Sequence, residues 1–339
     1  MAVFSSVSTD ENVKENPVSD LRIVHLDRGS IGPDITITKP DCPHHWTSYE
    51  HTEPADVITR LQSADVAVLN KVAVDAAMLE QLPDLKMIAI SATGFDKIDI
   101  EACRKRGITV SNIRAYAKHT VPEHTFALML ALRRGLKGYI ADVDAGMWQA
   151  SQHFCLFTQP VSDLNGATLG VIGNGAIGSH VARIAEAFGM RVLKAGRKNT
   201  TDIPEGYTDF DDVITESDVI TLHCPLTAET KDLIGTAEFR RMKRHAIILN
   251  TSRGGLVNEA DLVTALRDGE IAGAGLDVLT VEPPSADHIM LQYLDMPNLI
   301  VTPHTGWASC EAMDTLWKQL IMHIDNFAKG KPSNNLCEA

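Results

Sequence analysis

The stretch Leu169-Gly170-Val171-Ile172-Gly173-Asn174-Gly175-Ala176-Ile177-Gly178 decides the fold of this chain. A short apolar run leads into three glycines spaced Gly-x-Gly-x-x-Gly, and apolar residues at helical spacing follow until Gly189. The pattern predicts a strand, a tight turn and a helix, the arrangement of a dinucleotide-binding unit. Gly173 would permit the turn, Gly175 the approach of a pyrophosphate, and Gly178 the close packing of helix on strand. The helix N-terminus would offer free N–H groups and a partial positive charge to the phosphates.

The composition and charge of the chain limit the classes of protein it can be. Its 339 residues are 44% hydrophobic and 22% charged, which is typical of a globular protein with a sizeable core, and the length suffices for roughly two domains. The formal net charge of −13 disfavours nucleic acid and anionic membrane surfaces as partners. The longest apolar run, residues 126–132, is much shorter than the ~18 residues of a bilayer-spanning helix. We therefore expect no nucleic-acid partner and no membrane partner.

The cysteines and the N-terminal segment carry further predictions. The six cysteines are Cys42, Cys103, Cys155, Cys224, Cys310 and Cys337. They are scattered, without a Cys-x-x-Cys pair, which favours free thiols in a reducing cytoplasm. The run Cys42-Pro43-His44-His45 has metal-capable side chains, but no second cluster would complete a tetrahedral site, so we expect no metal.

Residues 1–20 are polar and acidic, without the apolar core of a signal peptide, and are predicted to form a flexible arm.

Short apolar runs alternate with amphipathic runs through most of the chain. The alternation covers residues 21–110 and resumes at Thr168, which predicts βαβ units and parallel sheets. We therefore expect an α/β fold of two Rossmann-like, doubly wound parallel-sheet domains with a cleft between them. The first predicted domain consists of residues 21–114 together with 306–339. The second consists of residues 115–305 and contains the glycine motif.

A long helix is predicted over residues 120–136, with Pro122 in its first turn. Its run 126–132 is apolar on every side, which indicates burial in a core or against a second subunit. His124, on the same helix, is interpreted as a histidine satisfied in a core or an interface. The last predicted helix, residues 311–327, is expected to pack back on the first domain.

The residues at the end of the second strand of the glycine-motif unit indicate which nucleotide binds. In this fold an acidic residue about 20 positions beyond the glycines holds the ribose 2′-hydroxyl of NAD, but here the strand ends in Gly196-Arg197-Lys198. A 2′-phosphate would meet no carboxylate and could pair with Arg197, whose planar guanidinium suits phosphate. The alternative is that Arg197 and Lys198 are a solvated pair on a loop. The residues favour NADP(H), and NAD(H) remains possible.

Polar residues follow three predicted strands of the second domain. The three loops are Thr251-Ser252-Arg253-Gly254-Gly255, residues 277–284, and Thr302-Pro303-His304-Thr305-Gly306-Trp307. An arginine at such a strand end can bind a carboxylate through two hydrogen bonds, although it could also be an ordinary surface arginine beside a turn.

The motifs together resemble one family. The ordered set is similar to the D-isomer-specific 2-hydroxyacid dehydrogenases: Gly173-x-Gly175-x-x-Gly178, Ser252-Arg253-Gly254, Glu282-Pro283 and Pro303-His304. Four further segments look most like the glycerate dehydrogenase (hydroxypyruvate and glyoxylate reductase) branch: Asn70-Lys71-Val72, Ala92-Thr93-Gly94-Phe95-Asp96, His223-Cys224-Pro225-Leu226 and Trp307-Ala308-Ser309. The clear departure is Gly196, which stands where the family has its acidic ribose ligand.

The resemblance implies catalytic roles for three residues. His304 would be the acid that protonates the carbonyl oxygen of a 2-keto acid as hydride reaches carbon 2. Glu282 would pair with His304, and Arg253 would hold the substrate carboxylate and polarise the carbonyl. A positioned general acid of this kind typically contributes roughly 10²–10⁴-fold to the rate.

The resemblance also implies two binding sets and a role for each domain, the first as substrate domain and the second as dinucleotide-binding domain. The cofactor set is Gly173, Asn174, Gly175, Ala176, Ile177, Gly178, Arg197, Lys198, His223, Cys224, Pro225, Thr251, Ser252, Arg253, Asp277, His304 and Gly306. Within it, Asp277 would hold the nicotinamide carboxamide. The substrate set is Lys71, Thr93, Gly94, Arg253, His304 and Trp307.

Three functions compete at this point. The first is an NADPH-dependent reductase that converts hydroxypyruvate or glyoxylate to D-glycerate or glycolate. The second is a non-catalytic, nucleotide-sensing binding protein on the same fold, and the third is a relative that acts on formate or phosphite. By analogy with the relatives, we expect a homodimer through the helix over residues 120–136.

Overall fold

The computed structural model describes residues 20–338, and the chain divides within them into two compact units. The first unit runs to Arg114 and resumes at Asp314, and the second runs from Ala115 to Met313. The first boundary coincides with the predicted one, whereas the second lies beyond the predicted 305/306 division. The prediction of a flexible arm falls, except for Asp20, outside the described residues.

The first unit is built on a five-stranded parallel sheet with the order β2-β1-β3-β4-β5. Its strands are β1 (Leu21–His25), β2 (His44–Ser48), β3 (Val66–Leu69), β4 (Met87–Ile90) and β5 (Thr109–Ser111). Its helices are α1 (Val57–Leu61), α2 (Ala76–Glu80) and α3 (Ile100–Lys105). Every residue of β3 and β4 is buried, as expected for central strands of a parallel sheet that is covered on both faces.

The second unit contains seven of the helices and a six-stranded parallel sheet with the order β11-β10-β9-β8-β6-β7. The helices are α4 (Thr120–Arg133), α5 (Leu136–Asp144), α6 (Met147–Ala150), α7 (Ala176–Ala187), α8 (Phe210–Glu216), α9 (Thr236–Phe239) and α10 (Glu259–Arg267). The strands are β6 (Thr168–Ile172), β7 (Arg191–Lys194), β8 (Val219–Leu222), β9 (Ile247–Asn250), β10 (Gly273–Leu276) and β11 (Leu299–Val301). The two parallel-sheet α/β units confirm the predicted fold class.

The strand order of the second unit fixes where a ligand binds. The chain passes from β6 to the outer strand β7 and then returns to β8 on the other side of β6. Ligands of such sheets bind outside the carboxyl ends of the strands at this reversal. The glycine loop begins there, because Gly173 directly follows the last residue of β6.

The helix predicted over residues 120–136 is observed as α4, which ends about three residues earlier. Helix α4 ends at Arg133, and α5 begins at Leu136 after Gly135, which has a left-handed backbone with φ of 59°. A left-handed residue interrupts the helical hydrogen bonds, so the chain changes direction there. Helix α4 buries Phe126 and Met129 within its own unit, where the Phe126 ring stacks on that of Phe188 at 5.3 Å.

The last helix, α11 (Cys310–Ala328), contains the second boundary between the units. Within the first unit its Trp317 Nε1 donates to the carbonyl of Thr38 at 3.0 Å. The carboxylate of Asp325 accepts from the backbone N–H of Asp41 at 2.8 Å. These contacts attach the tail to the first unit.

Two general features complete the fold. All six cysteines are free thiols. Among residues 20–338, no helix is both long and apolar enough to span a bilayer, and no group of three or more His, Cys, Asp or Glu side chains could hold a metal ion.

Candidate active site

The glycine loop after β6 is shaped by contacts that exclude side chains. Gly173 has φ of 96°, and a Cβ there would lie 2.5 Å from the backbone N of Cys224 and from the carbonyl carbon of His223. A Cβ on Gly178 would overlap the carbonyl oxygen of Gly173. Glycine is therefore required at both positions, for the turn and for the packing of helix on strand.

The N-terminus of α7 is arranged to receive an anion. A Cβ on Gly175 would meet nothing within 4 Å, so the backbone there faces open space. The first turn of α7 has no side-chain cap and no acidic residue, which leaves its N–H groups and positive dipole end for a ligand. The side-chain oxygen of Asn174 is buried and has no partner among the described residues. These features fit the pyrophosphate of a dinucleotide.

A cavity of about 330 Å³ lies at the end of β7. It is lined by Ala195, Gly196, Arg197, Thr200, Asp202, Pro204 and Tyr207. The Lys198 side chain is not in this lining. Its Nζ donates to the carbonyl of Leu233 at 3.0 Å and pairs with Glu238 Oε1 at 2.8 Å. Of the two predicted phosphate ligands, Arg197 thus lines the cavity, whereas Lys198 is engaged elsewhere in its unit.

The segment after β8 faces the glycine loop. Burial lowers the pKa of His223 to about 4, so the ring is neutral at pH 7, and its Nε2 bonds to Thr221 Oγ1 at 2.9 Å. Burial also raises the pKa of the Cys224 thiol. A Cβ on Gly255 would lie 3.1 Å from the Leu226 side chain, which places the loop after β9 beside this segment.

The loop after β9 carries Arg253. The Asn250 amide donates to the carbonyl of Arg253 at 2.8 Å, and its oxygen accepts from the N–H of Ser252 at 3.1 Å. The Arg253 guanidinium donates to the carbonyl of Ser252 at 2.7 Å. Thr251 Oγ1 lies 3.2 Å from Thr125 Oγ1 of α4. This hydrogen bonding sets the course of the backbone from which the guanidinium projects.

The loop of Arg253 packs directly on the loop that carries Glu282. A Cβ on Gly254 would overlap the backbone of Leu279, whose N–H donates to Glu282 Oε1 at 2.9 Å. The other oxygen of Glu282 lies 2.7 Å from His304 Nδ1. The predicted catalytic residues therefore come from three adjacent strand ends, those of β9, β10 and β11.

Half-buried Tyr116 lies within the electrostatic reach of Arg253 and contacts Trp307. Burial raises the pKa of Tyr116 to about 12, and the positive charge of Arg253 opposes that rise. The Tyr116 ring lies edge-on to Trp307, with centroids 6.1 Å apart. Trp307, predicted to line the substrate pocket, therefore lies in the neighbourhood of the predicted carboxylate ligand.

Asp277 lies behind the loop after β11 that carries His304, and its side chain is 2% exposed. It accepts from Thr302 Oγ1 at 2.6 Å and from the N–H groups of Thr305 and Gly306 at 2.9 and 2.8 Å. Burial would raise its pKa, but hydrogen bonds from His124, Thr302 and Gly306 outweigh burial and lower it. His124 was interpreted from the sequence only as a satisfied histidine, since no local pattern connects it with strands so distant in the chain.

The first unit holds the other predicted substrate residues. Asp27, which follows β1, is buried and accepts from the N–H groups of Asn70 and Lys71 at 2.9 and 2.8 Å. Burial raises the pKa of Asp27, although these hydrogen bonds oppose the rise. In the segment of Thr93 and Gly94, the carbonyl of Thr93 accepts from the side-chain amide of Asn112 at 2.7 Å. Both backbone segments are thus held by buried polar side chains, of which sequence reasoning missed Asp27.

The fold and this constellation define a class of protein. A family model described as "D-isomer specific 2-hydroxyacid dehydrogenase, NAD binding domain" matches residues 126–306. The chain belongs to the D-isomer-specific 2-hydroxyacid dehydrogenase family, which confirms the resemblance. It is an NAD(P)-dependent oxidoreductase that acts on the CH–OH group of 2-hydroxy acids.

Curated relatives narrow the similarity to one branch. The chain is 49% identical to the glycerate dehydrogenase of Methylorubrum extorquens, over 92% of this chain and 98% of that protein. It is 35% identical to the hydroxypyruvate reductase of Blautia hydrogenotrophica, over 84% of this chain and 88% of that one. It is 39% identical to the glyoxylate reductase of Thermococcus litoralis, over 88% of each chain.

Solved structures agree on the fold and on a nicotinamide nucleotide. A D-lactate dehydrogenase from Aquifex aeolicus, complexed with NAD and lactic acid, superposes with a TM-score of 0.77 at 30% identity, over 91% of this chain and 96% of that one. An acyclic imino acid reductase in complex with NADPH and D-Arg gives a TM-score of 0.76 at 28% identity, over 93% of this chain and all of that one. One neighbour thus holds NAD and the other NADPH.

Proposed function

We propose that this enzyme reduces small 2-keto acids, hydroxypyruvate or glyoxylate, to D-glycerate or glycolate with NADPH. The observation that carries the proposal is the 2.7 Å contact between His304 and Glu282 on loops that pack against that of Arg253. The names of the relatives support the choice of substrate, since they are a glycerate dehydrogenase, a hydroxypyruvate reductase and a glyoxylate reductase.

The proposed chemistry is the addition of a hydride and a proton across the carbonyl group. When bound, the reduced nicotinamide supplies the hydride to carbon 2. His304 gives the proton on Nε2 to the carbonyl oxygen, since Nδ1 is bonded to Glu282. Arg253 binds the substrate carboxylate and stabilises the charge that develops on the carbonyl oxygen. In the oxidative direction His304 accepts the proton from the hydroxyl group.

For the cofactor we infer a preference for NADP(H), with NAD(H) as the alternative. Support comes from the cavity at the end of β7, which contains Arg197 and has Gly196 where the family carries an acid. Contrary to the expectation of no carboxylate near a 2′-phosphate, Asp202 also lines this cavity. The side-chain fork of Arg197 suits a 2′-phosphate. We do not propose the Lys198 ammonium as a phosphate ligand, because its Nζ is paired with Glu238.

For the substrate we infer the ligands that the resemblance implies. They are the backbone groups of Thr93 and Gly94 and the segment of Lys71 in the predicted substrate domain (21–114 with 306–339), with Trp307 as a wall of the substrate pocket. The predicted dinucleotide-binding domain (115–305) is proposed to hold the cofactor. The hydrogen bonds from Asp27 to the Lys71 segment support an ordered role for that backbone.

We also infer a homodimer, and a cytoplasmic location from the scattered free cysteines. Helix α4, the predicted contact, buries its large apolar side chains in its own unit. The large exposed apolar residues instead follow it, at Leu136, Ile140, Val143, Met147, Trp148, Phe154, Phe157 and Val161. Phe154 and Phe157 are 91% and 89% exposed, which is unusual for phenylalanine unless another chain covers it. We therefore extend the predicted contact, α4, to the exposed apolar residues of the segment 136–161 that follows it.

An assay of NADPH oxidation against a panel of 2-keto acids tests the function. We expect turnover with hydroxypyruvate and glyoxylate, and weaker turnover with bulkier acids. Nucleotide binding without turnover on any keto acid would overturn the proposal in favour of a nucleotide sensor. NADP reduction by formate or phosphite would overturn it in favour of the third class.

A further inference from the structure

The catalytic loop after β11 holds its histidine in an unusual conformation. His304 has φ of 55°, in the left-handed region that residues with a Cβ rarely adopt. Its own N–H donates to the carbonyl of Thr302 at 2.9 Å, which closes a tight turn. A conformation of this kind persists only where the surroundings determine it strongly.

The carboxylate of Asp277 provides that determination. It binds the backbone N–H of the two residues that follow His304, Thr305 and Gly306, and the hydroxyl of the residue two before it, Thr302. The loop also approaches the carboxylate closely, since a Cβ on Gly306 would lie 2.8 Å from Asp277 Oδ2. The loop is thus held on both sides of His304 by one buried charge.

His124 of α4 completes this network from another layer of the unit. Its Nε2 lies 2.9 Å from Thr302 Oγ1 and 3.3 Å from Asp277 Oδ1. Thr302 gives its own proton to Asp277, so its oxygen is the acceptor of the bond to His124. Nε2 of His124 therefore carries a proton, and the ring acts as a donor to the network.

We propose that His124 is a positioning residue, which holds Thr302 and Asp277 so that His304 keeps its left-handed conformation and presents its imidazole to the substrate. The inference deepens the proposed function and rests on the role of His304 as acid and base. It predicts that the donor on Nε2, rather than the volume of the ring, is what the site needs.

Two substitutions separate the donor from the volume. His124→Leu fills similar space without a donor, and we expect kcat to fall by about 10- to 100-fold, as for a misplaced catalytic group. His124→Gln carries an amide N–H in place of Nε2–H and is expected to restore most of kcat. The KM for the keto acid is expected to change by less than about threefold in both variants, since the lost interaction acts on the transition state.

A control variant on the same helix excludes a general loss of packing. Phe126→Leu lies two residues along α4 from His124, where the ring stacks on that of Phe188 in the core of the unit. We expect it to lower Tm while kcat stays at the wild-type level. A fall in kcat for Phe126→Leu equal to that for His124→Leu would overturn the proposal.

Hydrogen exchange tests the same inference without turnover. The peptide that contains residues 302–306 should exchange faster in His124→Leu than in the wild type, and at the wild-type rate in His124→Gln. Wild-type exchange in the leucine variant would refute the positioning role even if no keto acid were reduced. If exchange responds as expected but the wild type reduces no keto acid, the proposed function fails while the positioning of the loop stands.

Discussion

Nδ1 of His304 lies 2.7 Å from Glu282 Oε2, and the second oxygen of that carboxylate is fixed by the backbone N–H of Leu279. The imidazole is therefore held in one orientation, with Nδ1–H donated to a carboxylate that cannot rotate freely. This leaves Nε2 for the proton exchange with substrate that we propose, as general acid–base catalysis by histidine requires.

Replacing that carboxylate by an amide should impair turnover. Glu282→Gln keeps an oxygen that can face Nδ1–H but loses the charge that stabilises the protonated ring. We expect kcat for keto-acid reduction to fall by about 10²-fold, within the range of general acid catalysis. Fluorescence titration with NADPH should show unchanged binding. Wild-type kcat in this variant would remove Glu282 from the mechanism.

The guanidinium of Arg253 should matter first for substrate binding. Arg253→Gln removes a charge-assisted interaction worth about 1.5–3 kcal/mol, which corresponds to roughly a 10- to 100-fold higher KM. A smaller loss of kcat should accompany it because the same group polarises the carbonyl. Initial rates over a range of keto-acid concentrations separate the two effects. A KM that stays constant would mean that another group binds the carboxylate.

A carboxylate at position 196 should reverse the nucleotide preference. A Cβ on Gly196 would lie 3.4 Å from the carbonyl of Thr208, which is ordinary contact, so a side chain fits there. Gly196→Glu should repel a 2′-phosphate and accept from a ribose hydroxyl, lowering the ratio of kcat/KM for NADPH to that for NADH by roughly 10-fold or more. Gly196→Gln, of equal size without the charge, is the matched control. An unchanged ratio in the glutamate variant would contradict the assignment of NADP(H).

In the first unit, Asp27 should control the order of the Lys71 segment. Asp27→Asn replaces one of the two acceptor oxygens by an amide NH2 group, and each hydrogen bond is worth about 1 kcal/mol. We therefore expect a higher KM for the keto acid and unchanged NADPH binding. Asp99 offers a matched control, because it accepts the N–H of Ala102 at the start of α3, and asparagine also caps helices well. Equal KM values for the two variants would show that the Lys71 segment does not contact substrate.

Stability at mildly acidic pH should depend on His25. Burial, together with the positive charges of Arg28 and Lys39, lowers its pKa from 6.5 to about 4. Between these values the unfolded chain binds a proton that the folded ring refuses, so stability is lost as pH falls from 6.5 towards 4. The shift corresponds to at most about 3 kcal/mol. Tm measured against pH should fall less steeply for His25→Gln, and parallel curves for the two proteins would contradict this.

Most elements were predictable because their signals are local. The parallel sheet of the second unit was predictable from the alternation that resumes at Thr168, since buried parallel strands are continuous apolar runs bounded by turns. The edge strand β2, with the sequence HHWTS, escaped notice because it is polar and mostly exposed. The end of α4 was predicted about three residues late, since Gly135, which separates α4 from α5, was included in the predicted helix.

The candidate site likewise has parts that the sequence could predict and parts that it could not. Glycine spacing predicted the dinucleotide loop, and the polar residues after strands were expected to meet because parallel strands bring their carboxyl ends to one edge. The pairing of His304 with Glu282 was implied by the family resemblance. The orientation of Lys198 could not be read from its position beside Arg197. It depends on the acceptors that the fold places near its Nζ, at Leu233 and Glu238.

The amino-acid sequence by itself determined the class of fold and the glycine loop, because both depend on residue types at short, regular spacings. The proposed reacting groups Arg253, Glu282 and His304 rest on the order of motifs that resemble one family. Only the tertiary structure decided which buried groups hold the reacting ones in place. His124 meets Thr302 across 178 positions of the chain, and Asp27 meets Lys71 across 44. Such partners are chosen by how helices and strands pack, and a buried carboxylate accepts whichever donors that packing brings within 3 Å or so.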